Sequence, residues 1–200
     1  MKYLENPVEH ELIIDKSRFI TNIYIVNSLS EVQSILIETK KRHRDANHNC
    51  YAYILNQGNE VKASDDGEPS KTAGVPILEV LKHHELSDCL CVVTRYFGGI
   101  KLGAGGLIRA YSNSVSKALE LASFVKKEQR TKLEIMLPYA LYDGFIYQFK
   151  DHIDILDQSF KENITLTVIL KDITILDLKE KYHQIVLNDL GEVIVSVKLK

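Results

Sequence analysis

Between Thr94 and Arg109 the chain reads Thr-Arg-Tyr-Phe-Gly-Gly-Ile-Lys-Leu-Gly-Ala-Gly-Gly-Leu-Ile-Arg, with five glycines from Gly98 to Gly106. Glycine admits positive φ and lets a ligand come close to backbone N–H groups. A helix beginning after such a stretch adds unpaired N–H donors and a partial positive charge. Lys101 and Arg109 add full charges. Gly98, Gly99, Lys101, Gly103, Gly105, Gly106 and Arg109 are therefore expected to cradle an anion or phosphate. Arg95 and Tyr96, just upstream, are expected to offer charge and stacking to a single-stranded nucleotide. The Walker pattern is absent, and no GxGxxG stands in a dinucleotide-binding setting. The bland alternative is a tight turn that packs a helix on a sheet.

A second chemical feature is Asp65-Asp66-Gly67-Glu68-Pro69. Three carboxylates in four residues repel one another unless a cation, a basic partner or solvent relieves them. Asp65, Asp66 and Glu68 suit a general base or a cation site. They equally suit pairing with Arg95 or Arg109, or a solvated turn. The full calcium-loop spacing is missing. Cys50, Cys89 and Cys91 are odd in number and too sparse for a disulfide framework. With His43 and His48 they do not give the paired spacing of a zinc site, so buried structural thiols are expected. No nucleophile motif surrounds any Ser or Cys. The basic run Lys40–Arg44 reads as a helix C-terminal charge bias or as an extension of an RNA-binding surface.

The elements that must hold these residues alternate. Strands are expected over His10–Ile14 and Arg18–Val26, followed by a helix capped by Ser30 with Val32, Ile35 and Leu36 on its apolar face. Cys50–Leu55 reads as a strand with a turn at Gln57–Asn59, and Ser64–Thr72 as a polar loop. Ser70 or Thr72 is then expected to cap a helix carrying Ile77, Val80 and Leu81, with Pro76 in its first turn. Cys89–Thr94 reads as a strand buried on both faces, and a long helix is expected over Leu107–Phe124. The charged stretch Phe124–Thr131 marks a domain boundary, giving domains 1–125 and 130–200. The second half reads as strands near Lys132–Leu137, Ile153–Phe160, Ile164–Leu170 and Glu192–Leu199, with helices near Leu141–Lys150 and Ile175–Leu187. That is the ferredoxin-like order, and its central strands lack the paired aromatics that stack RNA bases. The fold class is α+β.

The 200 residues are 45% hydrophobic and 26% charged with a formal net charge of −2, which excludes intrinsic disorder and a broad basic DNA-binding footprint. Each half carries a net −1, so an anion site must arise from local clustering. No apolar run approaches the roughly 18 residues of a membrane span, and the N-terminus lacks a secretory pattern. A cytoplasmic protein with reduced thiols is expected.

Four blocks resemble the IMPACT/YigZ family: Asp15-Lys-Ser-Arg-Phe-Ile20, Asp45-Ala-Asn-His-Asn-Cys50, Asp65-Asp-Gly-Glu-Pro-Ser70 and Thr94 through Tyr111. The rest of the chain resembles the bacterial type, in which the extra N-terminal interaction domain of eukaryotic relatives is absent. Lys71 departs from the pattern, which has glycine there. The resemblance implies an N-terminal domain like the second domain of ribosomal protein S-five and a C-terminal ferredoxin-like domain similar to one in elongation factor G. Eukaryotic relatives restrain a starvation-activated kinase of translation initiation by competing for its activator, a mechanism not expected of a two-domain bacterial form. The leading reading is a non-enzymatic module, without a cofactor, that binds RNA, a ribosome-associated partner or another phosphate-bearing ligand. The alternative is an enzyme on a phosphorylated or nucleotide substrate, with Asp65, Asp66 or Glu68 as base or metal ligand. The two differ in whether a carboxylate is aimed at the cradle or paired with arginine.

Overall fold

A computed structural model describes residues 1–199. The chain forms two compact units. One runs from Met1 to Lys126 and includes Val197–Leu199; the other is Lys127–Ser196.

The first unit contains β1 (Tyr3–Leu4), β2 (Val8–Ile14), β3 (Ser17–Ile25), α1 (Leu29–Arg42), β4 (His48–Leu55), β5 (Glu60–Ser64), α2 (Gly74–His83), β6 (Cys89–Tyr96) and α3 (Gly103–Leu119). Five strands make one antiparallel sheet in the order β2-β3-β6-β4-β5. β2 and β3 meet through Asp15 and Lys16, whose φ values of 44 and 64 suit a two-residue hairpin turn of the I′ kind. β6 is the central strand, and every residue from Cys89 to Arg95 is buried. Alternate residues of a strand face opposite ways. Leu90 and Val92 accordingly pack with Val32 of α1, while Cys91 and Val93 join Ile77 of α2 and Tyr111 of α3. The three cysteines are free and buried. Burial pushes the Cys50 and Cys89 thiols up to about 12, so neither is a ready nucleophile.

Several boundaries differ from the sequence expectation. Ser28, rather than Ser30, caps α1: its Oγ accepts from the Glu31 N–H at 3.3 Å, and the Glu31 carboxylate accepts from the Asn27 N–H at 3.0 Å. Ser28 has the extended backbone of a cap residue (φ −150, ψ 155), and Glu31 fastens the residue before it. β5, which follows the expected turn and takes in Ser64 from the expected loop, is a short edge strand with a polar sequence, paired to β4 from Tyr51 to Leu55. α3 starts at Gly103, four residues before Leu107, and ends at Leu119. N–H groups in a first turn have no intrahelical partner, so the usual helix-interior pattern is a poor guide to where the turn begins.

The second unit takes in most of β7 (Phe124–Leu137), then α4 (Tyr139–Phe149), β8 (Ile153–Phe160), β9 (Ile164–Leu170), α5 (Ile175–Lys181) and β10 (Val186–Lys198). Its strands lie in the order β10-β7-β9-β8. Leu133, Ile135, Leu166 and Val168 pack with Phe145 of α4 and Leu178 of α5 in one hydrophobic core. The stretch Phe124–Thr131, expected as the junction, is part of strand β7, and the division between the two units falls within it, between Lys126 and Lys127. The capping box between Thr174 and Asp177 starts α5, which stops at Lys181, so Leu187 belongs to β10. The fold is mixed α/β in two units.

Candidate functional site

The acidic loop leaves β5 and enters α2. Asp65 sits where its carboxylate can cap that helix. Oδ1 accepts from the N–H groups of Ala73 (3.0 Å) and Gly74 (2.8 Å), and Oδ2 from that of Lys71 (2.8 Å). Neither Ser70 nor Thr72 caps α2; the Thr72 hydroxyl instead donates to the Pro69 carbonyl at 2.6 Å. Partial burial pushes the Asp65 carboxyl upward, yet the N–H donors of Lys71, Gly74 and Ala73 together outweigh it and hold the group below its ordinary value. Lys71 has φ +62, a left-handed conformation that glycine adopts without strain. Asp66 accepts from the Asn49 N–H at 2.7 Å and from Lys40 Nζ at 3.2 Å, so the basic end of α1 is tied to the loop. Its carbonyl oxygen lies 2.9 Å from His48 Nδ1.

Glu68 turns inward. Its side chain is 3% exposed and meets Arg95 Nη1 at 2.6 Å. The Tyr111 hydroxyl donates to the same carboxylate at 2.8 Å. Burial raises the Tyr111 phenol far above its ordinary value, which keeps it a donor. The Cys50 thiol donates to the Asp65 carbonyl at 2.9 Å. Arg95 Nη2 donates to Ser17 Oγ at 3.3 Å, and the guanidinium lies 5.4 Å from the Phe19 ring centroid and 5.5 Å from that of Phe97. Of the two arginines considered as partners for the loop, Arg95 is the one engaged. The three carboxylates thus hold three different sets of donors, and among the described residues no group of His, Cys, Asp and Glu could hold a metal ion.

Arg95 and Tyr96 do not act together. Arg95 faces α2 and α3, whereas Tyr96 lies on the α1 side, 2.9 Å from His43 Nδ1 and beneath the Arg18 guanidinium. Adjacent residues on a strand point to opposite faces, so Tyr96 leaves the candidate site. The next residue on the Arg95 side is Phe97, 45% exposed, which the sequence reading quoted without singling it out. A step of two from Arg95 was the signal that could have found it.

The five glycines serve different ends. A Cβ on Gly98 would stand 2.0 Å from the Lys16 carbonyl carbon, so this position is filled by the β2–β3 turn and is architectural. Gly99 (φ +86) and Gly103 (φ +69) make the bend into α3, with open space around them. Gly105 and Gly106 lie inside α3, and Gly106 is close to Leu102. Gly105 has no packing reason to lack a side chain: the nearest atom to an added Cβ is the tip of Arg109 at 3.8 Å. No side chain caps the start of α3. A cleft of about 250 Å³ opens there, lined by Lys101, Gly103 and Ala104, with Arg95 and Glu68 beneath and Phe97 beside it. Lys101 is exposed and forms no ion pair among the described residues. Arg109 lines a separate groove of about 670 Å³ with Ile14 and Asp15, so it does not share the cleft with Lys101.

The family model described as the Impact N-terminal domain matches residues 15–119, which hold both motifs and the cleft. The chain belongs to the IMPACT family. The IMPACT family member YvyE of Bacillus subtilis is 54% identical over 121 residues, covering 60% of this chain and 56% of that relative. The match therefore spans little more than half the length of YvyE. An IMPACT family member of Haemophilus influenzae is 36% identical over 176 residues, covering 86% of this chain and 85% of its own. The crystal structure of a hypothetical protein, 28% identical, covers 95% of this chain and 96% of its own, with a TM-score of 0.62. In this IMPACT-family chain no helix among the described residues is long and apolar enough to cross a membrane.

Proposed function

We propose that this IMPACT-family protein is a cytoplasmic, translation-related regulator that binds RNA or another phosphate-bearing ligand and performs no chemistry on it. The observation that carries this reading is the contrast within one cleft. Lys101 and the uncapped start of α3 open onto it, while Glu68 is bound to Arg95 and Tyr111. A helix start beside a lysine supplies N–H donors and positive charge to an anion. An enzyme on the same cleft needs a carboxylate free to take a proton or a metal, and Asp65 and Asp66 are held by backbone donors elsewhere. The link to translation comes from the family. The same reading likens the first unit to the second domain of ribosomal protein S-five and the second to a domain of elongation factor G, a likeness the strand order β10-β7-β9-β8 supports for the latter.

The test is binding of RNA and of nucleotides across a salt series, with phosphate release followed in parallel. Lys101→Ala is expected to weaken binding and flatten its salt dependence by about one phosphate contact. Asp66→Asn is expected to change affinity only modestly. Phosphate release by the parent protein that falls about a hundredfold in Asp66→Asn, with substrate binding kept, would establish the enzyme instead.

A further inference from the structure

We infer that the cleft seats one nucleotide unit, with its base on Phe97 and its phosphate at Lys101 and the start of α3. This rests on the phosphate-binding reading above and adds the class of ligand. The cleft has two chemistries. Lys101 and the backbone of Gly103 and Ala104 offer charge and donors, while Pro69, Phe97 and Leu107 form an apolar wall. A bare phosphate uses only the first. A base joined to a phosphate uses both.

Phe97 has the Arg95 guanidinium 5.5 Å from its ring centroid and is still 45% exposed, which leaves aromatic surface for a second stacked group. Arg95 itself is 5% exposed and lines the cleft, and its Nε is a buried donor without a hydrogen-bond partner. That atom is enclosed by protein and out of a ligand's reach, so Arg95 contributes to the cleft as the charged neighbour of Phe97. At about 250 Å³ the cleft is too small to enclose a whole nucleotide or a duplex, so one unpaired base and its phosphate would line it while the rest of the unit stays in solvent. Free mononucleotides and the 5′-phosphorylated end of a single strand share this chemistry.

The experiment is calorimetric titration of the full chain with ribose 5-phosphate, uridine and adenosine monophosphates, and a 5′-phosphorylated tetranucleotide. Nucleotides are expected to bind at least about tenfold more tightly than ribose 5-phosphate, the scale of one base stacked on an aromatic ring. Phe97→Leu, which keeps an apolar wall, should abolish that preference. Phe97→Trp should retain it, and Lys101→Ala should weaken every ligand alike. Tighter binding of the monophosphates assigns the site to free nucleotide, and tighter binding of the tetranucleotide to a strand end; either supports the inference. Equal binding of ribose 5-phosphate and nucleotides, or a preference that survives Phe97→Leu, overturns it and leaves the phosphate reading intact. If ribose 5-phosphate, the nucleotides and the tetranucleotide all fail to bind, both readings fall.

Discussion

The acidic loop and the glycine-rich stretch border the same cleft and treat their polar atoms in opposite ways. In the loop, Asp65 caps α2, Asp66 holds Asn49 and Lys40, and Glu68 closes a buried pair with Arg95. In the glycine-rich stretch, Gly98 accommodates the β2–β3 turn, while Lys101, Gly103 and Gly105 make no such internal contact. The difference teaches that dense functional chemistry in a sequence can be turned inward. Carboxylates become scaffold when backbone N–H groups and an arginine converge on them. A lysine beside an uncapped helix start remains open to an external anion.

The largest effect should come from breaking the scaffold side. Glu68→Ala leaves the Arg95 guanidinium buried without its carboxylate, and is expected to lower unfolding free energy by about 3–5 kcal/mol in urea titrations. A loss of only a few tenths would mean that the loop is a solvated turn after all. Within the glycines the comparison sharpens. Gly98→Ala places a Cβ against the Lys16 backbone and should cost about 1–3 kcal/mol or more, whereas Gly105→Ala should be neutral or stabilising by up to about 1 kcal/mol. If the two alanines behave alike in thermal unfolding, the division into architectural and open glycines is wrong.

Asp65→Asn should cost about 1–2 kcal/mol through the weakened cap. Its pH dependence has a definite sign. The folded carboxyl titrates below its ordinary value of 3.8, so its contribution is complete above that pH and is lost as pH falls through the lowered value. The stability gap between the parent protein and Asp65→Asn should therefore be flat near neutrality and close in acid. The smallest effect is expected at Lys71. Replacing a left-handed lysine (φ +62) by glycine should raise stability by about 1 kcal/mol, offset in part by the freer unfolded chain. An unchanged midpoint would show that Lys71 makes a compensating contact.

Much of the framework could be read from the chain because its signals are local. The buried run at Cys89–Thr94, the helical spacing of Ile77 and Leu81, and the strand–helix order of the second half needed only neighbouring residues. The glycine expected at position 71 from the family pattern matches a backbone that turns left-handed there. What escaped notice was set by residues far apart in sequence. Whether Glu68 met Arg95 or Arg109 depended on which strand lay beside the loop. The demand for glycine at 98 comes from Lys16 in a distant hairpin. The cap of α2 comes from Asp65 across the loop rather than from the adjacent hydroxyls. The separation of Arg95 from Tyr96 was in principle legible, since strand alternation alone decides it.

The central claim is that the glycine-rich stretch binds phosphate while the acidic loop holds the fold. Backbone ¹⁵N–¹H spectra of the full chain, titrated with pyrophosphate at low salt, test it most directly. The account predicts saturable shifts at Gly99, Lys101, Gly103 and Ala104, abolished in Lys101→Ala, with Asp65 and Asp66 little moved. Shifts centred on Asp65 and Asp66, or none at Lys101 and Gly103 up to millimolar pyrophosphate, would contradict it.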